Sequence, residues 1–211
     1  MSTYSSLFPP SSQRGGDRST TRLTFIPHLS IPEGISAVTG DNGAGKTTLL
    51  RLAAGMLLPE TGTITINGTA PRACEVGCVS EFPDRHLIFS VVRDEIASPL
   101  RFAHRKPAEI DDAVTSITDR LGIAHLLDRE CRTLSGGEKM LVGIATALIA
   151  KPVLITLDEP DSHLDPQTTD ELFQIIRNSG CPYVLWSTHS RSVQERADHR
   201  ITLVYGKVSD L

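Results

Sequence analysis

The stretch Gly40-Asp41-Asn42-Gly43-Ala44-Gly45-Lys46-Thr47-Thr48 meets every fixed position of the pattern G-x-x-x-x-G-K-[ST]. Gly40, Gly43 and Gly45 let the backbone turn tightly and aim successive N–H groups at one point, which makes a nest for an anion. A helix starting behind them adds the positive end of its dipole. Lys46 then reaches the β- and γ-phosphates of a nucleotide, and the hydroxyl of Thr47 reaches Mg²⁺. The implied chemistry is phosphate binding, with Asp41, Asn42, Ala44 and Thr48 completing the loop.

A second chemical signal lies downstream. The apolar run Val153 to Leu157 ends in Asp158-Glu159. In the presence of a phosphate loop, Asp158 is placed to hold Mg²⁺ through water, and Glu159 to act as general base on an attacking water. Read without that loop, the pair would be an acidic strand end capping the next turn. Leu134-Ser135-Gly136-Gly137-Glu138 is another glycine-rich helix start, with its own backbone N–H groups and a serine hydroxyl. By itself it would be a helix cap. His189 follows the apolar run Tyr183 to Ser187, where an isolated histidine would be a satisfied strand-end residue.

The elements that must position these residues alternate between strand and helix. Ile35 to Thr39 reads as a buried strand running into the loop, and Thr47 to Ala54 as the helix leaving it. Leu23 to Ile31 is strand-like but broken by Pro27. Thr63 to Ile66 alternates and ends at Asn67-Gly68, a hairpin signal. These early strands predict a small antiparallel sheet beside the main one. Val76 to Ser80 reads as a core strand. From Glu81 the pattern turns helical: Pro107 opens a helix with Ile110, Val114, Ile117 and Leu121 on one face, and Gly122 closes it. Further helices are expected from Ser135 to Ala150 and from Pro166 to Asn178, with a last strand from Ile201 to Tyr205. The predicted fold is α/β: a P-loop NTPase core with a mostly parallel sheet, a small antiparallel β subdomain and an inserted helical lobe. Residues 1–21 read as a loose leader and 22–211 as one ATPase domain. Within it, 22–80 and 151–211 form the nucleotide-binding core and 81–150 the helical lobe. Phe8 in the leader is a candidate to stack on adenine.

Composition sets limits. The 211 residues suffice for one large domain, and 39% apolar content for a packed core. A formal net charge of −4 argues against a nucleic-acid partner. Cys74, Cys78, Cys131 and Cys181 lack paired zinc spacing and read as reduced structural thiols. The first twenty residues lack the apolar segment of a secretory signal. The longest apolar run, Met140 to Ala150, is too short to cross a bilayer, so another chain must supply any spanning part.

With Leu134 to Glu138 placed shortly before Val153 to Pro160, the chain resembles the nucleotide-binding subunits of ABC transporters. The resemblance runs from about residue 23 to 205. Ser135-Gly136-Gly137-Glu138 matches the family signature, Asp161-Ser162-His163-Leu164-Asp165 the loop that crosses the dimer interface, and His189 the switch histidine. It implies ATP and Mg²⁺ as cofactors and a second ABC ATPase subunit, identical or different, as partner. It also implies an integral-membrane transporter subunit and a place on the cytoplasmic face of the membrane. In the family, each ATP lies between one subunit's phosphate loop and the signature of the other, which explains why Ser135, Gly136 and Gly137 stand so far along the chain from Lys46. The resemblance further implies that His189 contacts the γ-phosphate.

The family places a glutamine where this chain has Glu81, and no glutamine occurs between Gln13 and Gln167. Glu81 is therefore the third candidate metal ligand, beside Thr47 and Asp158, or else a solvated loop acid. Pro83-Asp84, Leu87, Phe89, Val91, Asp94-Glu95 and Pro99-Leu100 resemble the energy-coupling-factor importers of vitamins and metal ions. Phe82 to Ile88 is expected near the groove that receives the membrane subunit. The end at Leu211 is expected to leave no room for an extra regulatory domain. An exporter subunit and an ATP-binding regulator with little turnover are the alternatives. A GTPase or small-molecule kinase is disfavoured by the signature and by the lack of an Asn-Lys-x-Asp motif. Lys46 and Ser135 are too close for a chromosome-type coiled coil, and a ribosome-type relative would carry two cassettes.

Overall fold

The computed structural model describes residues 2–5, 26, 28–82 and 87–210. Its strands are β1 (Ser2–Ser5), β2 (His28–Ile31), β3 (Gly34–Thr39), β4 (Val76–Val79), β5 (Leu154–Asp158), β6 (Tyr183–Ser187), β7 (His199–Val204) and β8 (Lys207–Asp210). Its α-helices are α1 (Lys46–Ala53), α2 (Val92–Phe102), α3 (Pro107–Arg120), α4 (Gly136–Leu148), α5 (Pro166–Arg177) and α6 (Arg191–Arg196).

The main sheet is ordered β4-β5-β6-β3-β7-β8, parallel except for β8. β5 and β6 are buried at every residue, as strands covered on both faces require. Alternation sends Ile155, Leu157, Val184 and Trp186 into an apolar cluster with α3, α4 and α5. Leu154, Tyr183 and Leu185 face the other side and join Leu49 and Leu50 of α1. The register sets Val38 and Asp158 on either side of Ser187. The chain therefore leaves β3, β5 and β6 at one edge of the sheet, where ligands of such folds bind.

The helical segment follows its expected pattern. Proline opens α3 at its first turn, and Ile110, Val114, Ile117 and Leu121 are buried along one face. Asn67 and Gly68 both have positive φ, 51° and 82°, which suits a two-residue hairpin turn. Bridges mark both ends of the expected strand Thr63 to Ile66, with Ile66 paired antiparallel to Thr69 across the turn. β1 and β2 form an antiparallel pair, in register Ser2↔Ile31 to Ser5↔His28. Ser2–Ser5 form a strand that the composition of the leader did not announce. Phe8, Leu23 to Phe25, Pro27 and Pro83-Asp84 lie outside the described residues. β8 and α6 were not foreseen; both are too short for periodicity to reveal. Of the four free cysteines, Cys131 is buried as expected of a structural thiol, whereas Cys78 is exposed on β4.

Asp198 ties β3 into place. Its Oδ2 accepts the Ile35 N–H at 2.8 Å, and its Oδ1 accepts from Arg177 at 3.0 Å. Burial pushes this carboxyl up, but the Ile35 amide and Arg177 outweigh it and hold it below its ordinary value. Asp198→Ala strands the buried Ile35 N–H and is expected to cost about 1–3 kcal/mol. The depressed folded value means this contribution is complete above the unfolded carboxylate pKa and is lost as pH falls through the folded one. Urea midpoints of native and variant chains should accordingly differ at neutral pH and converge on acidification.

Candidate nucleotide site

Thr39 ends β3, and the loop 40–45 turns back under α1. Gly40 has φ 145°, and a Cβ there would lie 2.4 Å from the Leu203 carbonyl oxygen, so only glycine fits. The β7–β8 hairpin supports the loop from its other end, where the Gly206 N–H donates to the Ala44 carbonyl at 3.0 Å. Gly45 caps α1 with φ 104° and no side-chain hydrogen bond, and the first turn of α1 holds no acidic residue. The first N–H groups of the helix are thereby left for an anion. Asp41, Asn42 and Gly43 are exposed, Ala44 is buried, and Thr47 and Thr48 are half-buried.

Three residues singled out by sequence meet here. Lys46 is 6% exposed, and its ammonium lies 2.9 Å from the Gly40 carbonyl oxygen, 3.0 Å from His189 Nε2 and 3.3 Å from Glu159 Oε1. An ammonium carries three hydrogens and no lone pair, so all three partners accept. His189 is then in the tautomer whose Nε2 accepts, and its 3.2 Å approach to Glu159 is a contact of two acceptors.

Glu159 has left-handed backbone geometry (φ 48°, ψ 46°), a strained state for a residue with a Cβ. Hydrogen bonds on both sides enforce it. Its N–H faces the Ser187 hydroxyl at 2.9 Å and the Ser187 carbonyl at 3.1 Å, while Ser162 donates to its carbonyl at 2.7 Å. The turn lifts the carboxylate off β5 and toward Lys46. Asp158 stays in the sheet edge, 8% exposed, with Oδ1 accepting from the Ser187 hydroxyl at 2.7 Å. Ser187 thus orients both acids, a role that sequence reasoning missed. The signal was a hydroxyl closing an apolar strand that neighbours the Asp-Glu strand.

Among the described residues, no cluster of three or more His, Cys, Asp or Glu could hold a metal by itself. Mg²⁺ does not require one, since it binds through one or two protein oxygens together with substrate phosphates and water. The Asp158 carboxylate and Thr47 hydroxyl fit that donor set. Glu81 is half-buried just beyond the end of β4, the strand neighbouring β5. No hydrogen bond ties it to Asp158 or Lys46 among the described residues.

The signature stands apart. Ser135 caps α4, its Oγ accepting the Glu138 N–H at 3.3 Å while Glu138 Oε2 accepts the Ser135 N–H at 2.7 Å. The Ser135 N–H and hydroxyl, with Arg129 beyond, hold the Glu138 carboxyl below its ordinary value. Ser135 and Gly136 are exposed, and open space surrounds the position of a Gly136 Cβ. No hydrogen bond joins residues 135–137 to the phosphate loop within this chain. The structure brings together Lys46, Glu159 and His189, and leaves Ser135 and Gly136 exposed and Gly137 half-buried.

The sequence pattern described as ABC transporter matches residues 28–162. This chain belongs to the ABC transporter family, as an ATP-binding subunit that hydrolyses ATP. It is 31% identical to the lipoprotein-releasing system ATP-binding protein LolD of Colwellia psychrerythraea, covering 93% of this chain and 81% of that protein. It is 34% identical to the energy-coupling factor transporter ATP-binding protein EcfA1 of Bacillus subtilis, over 81% of this chain and 64% of the relative. It spans about half, 51%, of the methionine import protein MetN 1 of Rhodopseudomonas palustris. Among solved structures it is similar to cbiO1 from Clostridium perfringens, part of the ABC transporter complex cbiONQ. That match has TM-score 0.75 and 27% identity, covering 86% of this chain and 78% of cbiO1. The ATP-binding cassette MJ0796, a dimer bound to ADP and Pi, has the same fold with TM-score 0.84 at 22% identity, over 99% and 97% of the two chains.

Proposed function

We propose that the chain works as one of two subunits that close head to tail on Mg-ATP and drive import of a vitamin or metal ion. The observation that carries the shared-nucleotide reading is the split site: Lys46, Glu159 and His189 converge, while the capped, exposed Ser135 faces away. Lys46 and the N–H groups of the loop hold the phosphates, and His189 contacts the γ-phosphate. Glu159 takes a proton from the attacking water, and a partner's signature closes the far side. Mg²⁺ held by Thr47 and Asp158, with Glu81 as the third candidate ligand, would neutralise developing phosphate charge. Residues 22–80 with 151–211 act as the core arm, and 81–150 as the helical arm carrying the signature.

Similarity to the methionine import protein MetN 1 supports import, and similarity to the energy-coupling factor protein EcfA1 supports that transporter group. Phe82 and Ile88 are 46% and 81% exposed, which suits docking of a membrane subunit at the cytoplasmic face. No described helix is long and apolar enough to cross a membrane. The similarity to LolD keeps a releasing or exporting transporter as the second reading. Purification from membranes, with identification of the co-purifying membrane subunit, decides between them.

Ser135→Ala tests the sharing directly. Loss of the cap should lower the stability of the isolated chain by about 1 kcal/mol. Loss of the hydroxyl should also weaken ATP-driven dimerisation in sedimentation, with nucleotide binding by the monomer intact. A variant that dimerises like the native chain would count against the shared site.

A further inference from the structure

We propose that Asp161 is a positioning residue that sets His189 over the nucleotide site. The inference rests on the reading of His189 as the γ-phosphate contact. Asp161 stands in the 3-10 turn Pro160–His163 that follows Glu159. Its two carboxylate oxygens hold two residues at the end of β6. Oδ1 accepts from the Trp186 indole N–H at 2.9 Å, and Oδ2 from the Thr188 hydroxyl at 2.6 Å. Trp186 is fully buried and Thr188 is 1% exposed. The Thr188 oxygen in turn accepts the Ser190 N–H at 2.9 Å.

The residues on both sides of His189 are therefore held through one carboxylate, Thr188 directly and Ser190 through Thr188. The side chain of His189 is itself 53% exposed, so packing does little to fix it. Both direct partners of Asp161 are donors, and only an ionised carboxylate offers two acceptors at once without a competing N–H. The turn also carries Ser162, which fixes the Glu159 carbonyl. One short segment thus sets the base and the histidine together. Displacing that turn, as contact with a second copy along 161–165 would do, moves both groups.

The test is the affinity of the full chain for Mg-ATP and Mg-ADP in five variants, together with kcat and KM. A histidine that touches only the γ-phosphate affects ATP and spares ADP. Asp161→Ala and Thr188→Val should each lower the preference for ATP over ADP about tenfold, the scale of one hydrogen bond to a charged group, as His189→Ala does. kcat should fall with them while ADP affinity holds. Trp186→Phe deletes the indole donor but leaves the Thr188 bond, and should keep the preference. Thr188→Val preserves side-chain shape and carries the test if Asp161→Ala fails to fold. The proposal is overturned if both Thr188→Val and a folded Asp161→Ala keep the native ATP preference. A His189→Ala that keeps it also overturns the proposal, by removing its premise. Lys46→Ala, expected to lose both nucleotides, reports separately on the site itself.

Discussion

Replacing Glu159 by glutamine is expected to stop turnover and leave a stable ATP-bound dimer. In the proposed mechanism the carboxylate takes a proton from the attacking water, and general-base catalysis contributes about 10²–10⁴-fold. The amide keeps size and shape but cannot accept that proton. A second effect follows from the ligand-free geometry. Glu159 Oε1 sits 3.3 Å from Lys46, whose side chain is nearly buried, so incoming phosphate must displace a carboxylate from its counter-ion. Glutamine removes that competitor and the negative charge beside the γ-phosphate. ATP affinity should rise while kcat falls by two to four orders of magnitude, roughly the general-base contribution. Sedimentation in saturating Mg-ATP, with phosphate release measured in parallel, reads both. A variant that remains monomeric, or one that still hydrolyses at the native rate, would sink the assignment of Glu159.

Lys46→Ala should have the largest effect on binding itself. The ammonium is the cation at the centre of the loop, and it bridges the Gly40 carbonyl, Glu159 and His189. Its removal leaves Glu159 without a counter-ion, so a carboxylate then faces the phosphates directly. Charge-assisted hydrogen bonds to phosphate are the strong class, and loss of more than one of them should weaken ATP by at least about a hundredfold. Hydrolysis should disappear with it. Isothermal titration with Mg-ATP and Mg-ADP measures the loss. In the proposed mechanism Lys46 also holds the β-phosphate, so both nucleotides should weaken, in contrast to His189→Ala, which should spare ADP. Native affinity in Lys46→Ala would place the phosphates elsewhere.

Most of the site could be read from sequence because its parts are contiguous. The loop 40–48 is a backbone device, and its glycines, lysine and threonine are fixed by local geometry wherever a strand meets a helix. Asp158-Glu159 and Ser135-Gly136-Gly137 are likewise short segments at element ends. The parallel sheet was legible from apolar runs alternating with helical periods, since buried strands need apolar residues on both faces. Short elements were not: α6 and β8 hold too few residues for a period to show. At Thr63 to Ile66 the turn residues were legible and bridges mark both ends, but the extent of strand pairing depends on a partner that local sequence does not name.

The amino-acid order by itself determined the phosphate loop, the acids at the end of β5 and the family to which the chain belongs, because each is written in a few adjacent residues. Only tertiary structure decided that Ser187 serves both Asp158 and Glu159, that Asp161 grips Trp186 and Thr188, and that Lys46 meets His189. These links join residues 25 to 143 positions apart, whose meeting depends on the order of strands in the sheet. Side-chain hydrogen bonds act over a few ångströms, so strand register had to bring the donors and acceptors into reach before any of them could form.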